Sequence, residues 1–183
     1  MKDLHALYVL IRPRFAPLVL LLPFFGWAWA HWDRALQMRS ELALLGVLAS
    51  WLALHAGTMW LNAALDRDTG DVLFGRAVPP PPSVVPAGAL ALALAIGIGF
   101  VVGWKVGLAV TAAAVLSVLY SHPRTVWKGH PVFGPLVNVV GYGMLSPFAG
   151  WVVVGVPWNP RTLVAWSLFA MGMLGPFFAA QAF

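Results

Sequence analysis

Apolar residues run through this chain in long blocks, separated by short polar breaks. They show neither the alternation of a half-buried strand nor the single stripe of a surface helix. Six blocks approach the roughly 20 residues that a helix needs to cross a hydrocarbon core. They are Phe15–His31, Glu41–Leu65, Val84–Trp104, Val106–Tyr120, Val132–Val156 and Thr162–Phe183. Lys105 with Gly107 is the only break between the third and the fourth, which predicts a tight helical hairpin there. The prolines at Pro79–Pro82 predict a stiff loop, because proline cannot continue a helix. Pro17, Pro23, Pro135, Pro147 and Pro176 fall inside blocks, where membrane helices tolerate them as kinks. Gly99 and Gly103 are four apart, as are Ala109 and Ala113, a spacing that lets helix backbones approach. The expected fold is all-α: a polytopic transmembrane helical bundle of about six spans, forming one domain over residues 1–183.

Composition agrees with the pattern. The 183 residues are 61% hydrophobic and 9% charged, against about 25% charged in soluble globular domains. The net charge of +5 does not point to nucleic acid, because the Lys and Arg residues are scattered over short breaks and form no basic stripe. With no cysteine, disulfides and thiolate metal sites are excluded. The segment MKDLHALYVLIRPRF has no small-residue cleavage site after a short apolar core, so the first block reads as a retained span. Lys2, Arg12, Arg14, Arg67, Arg76, Arg124 and Lys128 fall on one side of the predicted bundle; Arg34, Arg39, Lys105 and Arg161 fall on the other. The richer side is expected to be cytoplasmic. The chain thus reads as a multi-pass integral membrane protein, of the inner membrane if bacterial, with its N-terminus in the cytoplasm.

Charge also marks the candidate chemistry. Three of the six acidic residues, Asp66, Asp68 and Asp71, cluster where the second block ends. Carboxylates this close repel one another unless a positive charge lies between them, and at a helix C-terminus they oppose the helix dipole. Asn62 lies one turn before Asp66, on the same face, and His55 lies two turns below Asn62. Such an all-oxygen set suits a hard cation such as Mg²⁺, commonly held by one or two carboxylates together with substrate phosphates. A merely solvated acidic loop is the plain alternative. His55 reads as a hydrogen-bonded core histidine. Asn138, Tyr142 and Ser146, at i, i+4 and i+8 of the fifth block, form a polar stripe expected to face the bundle interior, either joining helices or reaching a ligand. No glycine-rich phosphate loop or nucleophile elbow is present.

These residues carry a resemblance. Asn62-x3-Asp66 with Asp66-Arg67, followed by Arg76 and Pro79-Pro80, resembles the first aspartate-rich motif of the UbiA superfamily of intramembrane prenyltransferases. The third motif position departs from that pattern: Gly70 occupies it, flanked by Asp68 and Asp71, and either could take its role. Arg12-Pro13 is similar to the family's N-terminal Arg-Pro. Tyr120-Ser121 followed by Arg124 and Lys128 is similar to the end of its fourth span. The resemblance implies a Mg²⁺-dependent enzyme that moves a prenyl group from a prenyl diphosphate to a lipophilic, often aromatic, acceptor. It implies Asn62 and Asp66 as catalytic residues and Asn62, Asp66, Asp68 and Asp71 as metal ligands. Arg12, Arg76, Arg124 and Lys128 become diphosphate-binding residues, and Asn138, Tyr142 and Ser146 become residues near the acceptor. The family's second aspartate-rich motif follows its sixth span and is absent from this sequence. The resemblance therefore leads us to expect a shortened chain that binds Mg²⁺ and diphosphate weakly and turns over little substrate alone. Two other classes compete. One is a non-enzymatic membrane protein that binds divalent cations or lipid through the Asp cluster. The other is a CDP-alcohol phosphotransferase, which the run Asp66-Arg67-Asp68-Thr69-Gly70-Asp71 fits poorly.

Overall fold

The computed structural model describes residues 2–31, 41–66, 78–125, 127–155 and 160–172. All regular structure among them is helical: α1 (Lys2–Leu10), α2 (Ala16–Ala30), α3 (Glu41–Asp66), α4 (Val84–Val102), α5 (Trp104–Ser121), α6 (Phe133–Asn138), α7 (Ser146–Val152) and α8 (Pro160–Gly172). A 3₁₀ turn at Trp127–Gly129 precedes α6, and a π-helical stretch, Val139–Leu145, joins α6 to α7. Three helices among the described residues, α3, α4 and α5, are long and apolar enough to cross a membrane, and α2 is a shorter apolar helix. The fifth predicted block is divided among α6, the π stretch and α7, and the sixth is described only as far as Gly172.

Two local departures from the sequence expectation have simple causes. The break between the third and fourth blocks falls at Gly103, not at Lys105 and Gly107, which both lie inside α5. One extended residue suffices for the reversal: the Gly103 N–H still closes α4 on the Gly99 carbonyl, and the Gly107 N–H opens α5 on the Gly103 carbonyl. The N-terminal residues form the short helix α1, which ends ahead of Pro13. Arg12, at φ 55°, takes a left-handed turn between α1 and α2.

The π stretch ends beside a proline. A proline ring crowds the carbonyl four residues earlier, which for Pro147 is that of Gly143, and a wider turn relieves the crowding. The extra space is used: the Ser146 N–H and its Oγ–H both turn back to the Gly141 carbonyl. Ser146 is 2% exposed, and its Oγ also accepts the indole N–H of Trp51 at 2.8 Å. α3 is thereby tied to the start of α7 in the middle of the core.

Contacts fix how the helices lie. Gly46 meets Val102 while Gly57 meets Gly88, so α3 and α4 are antiparallel. α2 lies across the α6–α7 path, with Phe15 against Tyr142, Gly26 against Pro147 and Gly150 against Pro23. Gly143 meets Ala170 while Trp151 meets Trp166, so α8 runs back against that path. The main core gathers Val19, Val47, Trp51, Leu54, Leu92, Ala95, Val106, Val110 and Ala149. Its closest crossing joins α2 to α7, where Gly26 lies against the Pro147 backbone and Gly150 against the Pro23 backbone. Neither position has room for a β-carbon. Of the predicted small-residue pairs, Gly99 does pack closely, with a β-carbon there falling 3.2 Å from Gly107 Cα. Ala109 and Ala113 lie in the core, whereas Gly103 forms the turn.

Candidate functional site

Asn62 lies on the last turn but one of α3 and is buried. Its Oδ1 accepts the hydroxyl proton of Ser121, the last residue of α5, at 2.7 Å. One turn deeper, Thr58 Oγ1 donates to Ser117 Oγ at 3.1 Å. The two rungs are each four residues apart on both helices, so α3 and α5 run parallel and end together. The sequence singled out Asn62 and Tyr120-Ser121 as separate motifs, and the fold joins them. Thr58 and Ser117 were missed. The signal for them is the four-residue spacing Thr58–Asn62–Asp66 on α3 and Ser117–Ser121 on α5.

Asp66 closes α3 one turn past Asn62. The side chain of Asp66, and the whole of Asp68, Asp71 and Arg76, lie outside the described residues. Among the described residues, no group of three or more His, Asp or Glu side chains is placed to hold a metal ion. The oxygen set that the sequence nominates is therefore seen here through Asn62, whose Oδ1 retains a second lone pair beside the Ser121 bond.

The chain leaves α5 through an extended His122, as the residue before a proline prefers, and the segment that follows is folded. Thr125 Oγ1 donates to the Leu119 and His122 carbonyls. His122 Nδ1 accepts the Arg124 N–H at 3.2 Å, and His130 Nδ1 accepts the N–H groups of Val132 and Phe133. Trp127 stacks on Phe133, with ring centroids 5.1 Å apart. This framework presents an exposed Arg124 and a half-buried Lys128 at the end of the bundle where α3 and α5 finish.

α1 lies at the same end, beside α3. The Trp60 indole donates to the Leu7 carbonyl at 2.9 Å, and His55 Nε2 lies 2.8 Å from the Ile11 carbonyl. His55 is thus the buried, hydrogen-bonded histidine that its surroundings predict. Phe15 packs between His55, at 5.8 Å, and Tyr142, at 6.4 Å. Arg12, half-buried in its left-handed turn, lies within electrostatic reach of both His55 and Tyr142. A non-glycine residue held at positive φ costs on the order of 1–3 kcal/mol and persists only where its surroundings enforce it.

The polar stripe of the fifth block divides. Ser146 spends its hydroxyl on Trp51 and Gly141 and joins helices. Asn138 donates its amide N–H to the Gly134 carbonyl of its own helix at 3.0 Å. Tyr142 is half-buried and borders the Arg12–Phe15 turn. No family model matches this chain, and no curated protein or solved structure matches it either. The functional reading therefore rests on the residues themselves.

Proposed function

We propose that this chain is a membrane-embedded, Mg²⁺-dependent prenyltransferase of the UbiA type, moving a prenyl group from a prenyl diphosphate to a lipophilic, usually aromatic, acceptor. The observation that carries the reading is the Asn62–Ser121 hydrogen bond. It sets the end of the helix bearing Asn62 and Asp66 against the end of the helix that leads to Arg124 and Lys128. A diphosphate needs this juxtaposition of oxygen ligands for a cation and basic donors for phosphate. In this reading all six apolar segments cross the bilayer, with the N-terminus and the Asp cluster on the cytoplasmic side.

The donor set fits the metal: the Asn62 carbonyl and the carboxylates of Asp66, Asp68 and Asp71 are all hard oxygens. Mg²⁺ bound there would supply charge neutralisation of the departing diphosphate. The chain's own residues do the rest. Arg124, Arg76 and Arg12 donate to phosphate oxygens through planar forks, and Lys128 adds a compact charge. Tyr142, packed against Phe15, would serve the acceptor, with Ser146 fixing the helix that carries it and Asn138 at the head of the same stripe. The apolar helices keep the isoprenoid tail in lipid and water away from the reacting carbon.

The ligand test is a melting experiment in detergent. Mg²⁺ and farnesyl diphosphate together should raise the melting temperature, since a ligand of the folded state at a hundredfold excess over its Kd stabilises by about 2.7 kcal/mol. Either component alone should do much less. No increment with both present would remove the diphosphate reading and leave a bundle that binds ions or lipid. The orientation is tested separately. A reporter fused at Gly129 should read cytoplasmic and one at Gly103 external, because Lys and Arg favour the cytoplasmic side. The reverse result would place the Asp cluster where cytoplasmic prenyl diphosphates cannot reach it.

A further inference from the structure

We infer that α1 is an interfacial helix: it lies in the headgroup zone of the bilayer, with Leu4 and Tyr8 entering the acyl layer and Arg14 beside anionic headgroups. The inference needs only helices that span a membrane, not the prenyltransferase reading. α1 has nine residues, about 14 Å at 1.5 Å per residue, less than half of the roughly 30 Å hydrocarbon core. It cannot be a span, and its packing sets its depth instead. α3 has 26 residues, about 39 Å, and overruns that core by about 9 Å. Trp60, six residues before the end of α3, donates its indole N–H to the Leu7 carbonyl at 2.9 Å. His55, further in, meets the Ile11 carbonyl at 2.8 Å. α1 is thus held within one or two turns of where α3 leaves the hydrocarbon, its C-terminal end the deeper.

The two sides of α1 differ. Ala6 and Leu10, four apart, are buried. Leu4 and Tyr8, also four apart and so on one face, are 73% and 60% exposed. A helix that carries such a stripe at the edge of a bilayer buries it at the boundary between headgroups and acyl chains. Tyrosine suits that zone, because its ring enters the apolar layer while its hydroxyl stays with headgroups and water. The charge of the segment complements anionic lipid. Lys2, Arg12 and Arg14 accompany a single acid, Asp3, in the first fourteen residues, and Arg14 is exposed. A basic residue next to an amphipathic helix adds attraction to anionic headgroups.

The test uses the full chain, which has no cysteine, in vesicles of phosphatidylcholine mixed with phosphatidylglycerol. Leu4→Cys, Tyr8→Cys, Leu94→Cys and Gly129→Cys each carry one nitrobenzoxadiazole fluorophore. All four positions are exposed, so the label leaves the packing in place, and either position on α1 suffices. Leu94, midway along α4, marks the bilayer interior, and Gly129, in a loop at the end of the bundle, marks water. Lipid nitroxides near the top of the acyl chain should quench the α1 labels more than nitroxides near its end, with the reverse order at Leu94. Iodide should quench the α1 labels at least about threefold less than the Gly129 label. Shallow nitroxides on phosphatidylglycerol should quench them more than the same nitroxides on phosphatidylcholine, by up to about fivefold for one cation near the surface, and Arg14→Gln should reduce that preference. Labels on α1 that iodide reaches as readily as Gly129 would place the helix in water and overturn the proposal. Labels quenched most by the deep nitroxides would overturn it as well, by placing α1 in the bilayer interior. A phosphatidylglycerol preference that is absent, or unchanged in Arg14→Gln, would overturn the role of Arg14.

Discussion

Gly150→Leu is expected to leave little folded protein, whereas Gly97→Leu is expected to leave the bundle nearly unchanged. Both glycines sit in apolar helical segments, so hydropathy alone ranks the substitutions equally. The packing does not. A β-carbon on Gly150 would collide with the Pro23 backbone, and the reciprocal position, Gly26, already lies against the Pro147 backbone. Backbone on both sides cannot swing away as a flexible side chain can. Association of helices in lipid depends on such close approach, because lipid tails are as apolar as the side chains they would replace. Forcing α2 and α7 apart would also disturb Ser146 and its bond to Trp51, which ties α3 into the same region. We expect a loss of more than about 4 kcal/mol, in the range reserved for disrupted cores. At Gly97, by contrast, a β-carbon meets nothing within 4 Å, and leucine improves helix propensity. Yield of monodisperse protein and melting temperature in detergent measure both. A Gly150→Leu protein that melts within a degree or two of the unaltered chain would show that the α2–α7 crossing is not close-packed.

What could be read ahead of the structure follows from which forces act locally. The segments α3, α4 and α5 were legible almost to the residue: predicted as Glu41–Leu65, Val84–Trp104 and Val106–Tyr120, they are found at Glu41–Asp66, Val84–Val102 and Trp104–Ser121. Hydropathy reports the length of apolar chain a bilayer can solvate, and these three are regular helices. It says nothing about interruptions satisfied by side chains. The π stretch before Pro147 therefore stayed hidden inside one apolar block, because its freed hydrogen bonds are met by Ser146. α1 was missed for a different reason: nine residues are too short to register as a span, and its two ties to α3 come from Trp60 and His55, far along the chain. At the site, the aspartate cluster, Asn62 and Tyr120-Ser121 were visible as residue types in suggestive positions. That Ser121 meets Asn62 was not, because a pairing 59 residues apart is fixed by how α4 turns at Gly103 and returns α5 parallel to α3. The Asn138–Tyr142–Ser146 stripe was legible as a spacing. Its division between helix joining and a possible ligand contact depends on Trp51 and Gly141, which no spacing rule names.

The second large effect is expected at Asp66. It follows Asn62 by one turn on α3 and is the first carboxylate beyond the Asn62–Ser121 bond. Carboxylates supply most of the affinity for a hard cation, and a diphosphate binds such a site chiefly through that cation. Asp66→Ala should therefore weaken Mg²⁺-dependent diphosphate binding about 100-fold or more, on the order of 3 kcal/mol. The ligand-free fold should change little, since removing one of three neighbouring carboxylates at a helix C-terminus relieves repulsion and an unfavourable dipole interaction. The most direct measurement is equilibrium dialysis of radiolabelled farnesyl diphosphate against the unaltered chain and Asp66→Ala, each with Mg²⁺ and again with EDTA. The account predicts retention by the unaltered chain with Mg²⁺ alone, and loss of that retention in EDTA or on removal of the Asp66 carboxylate. Equal retention in all four arms, or none in any, would contradict it.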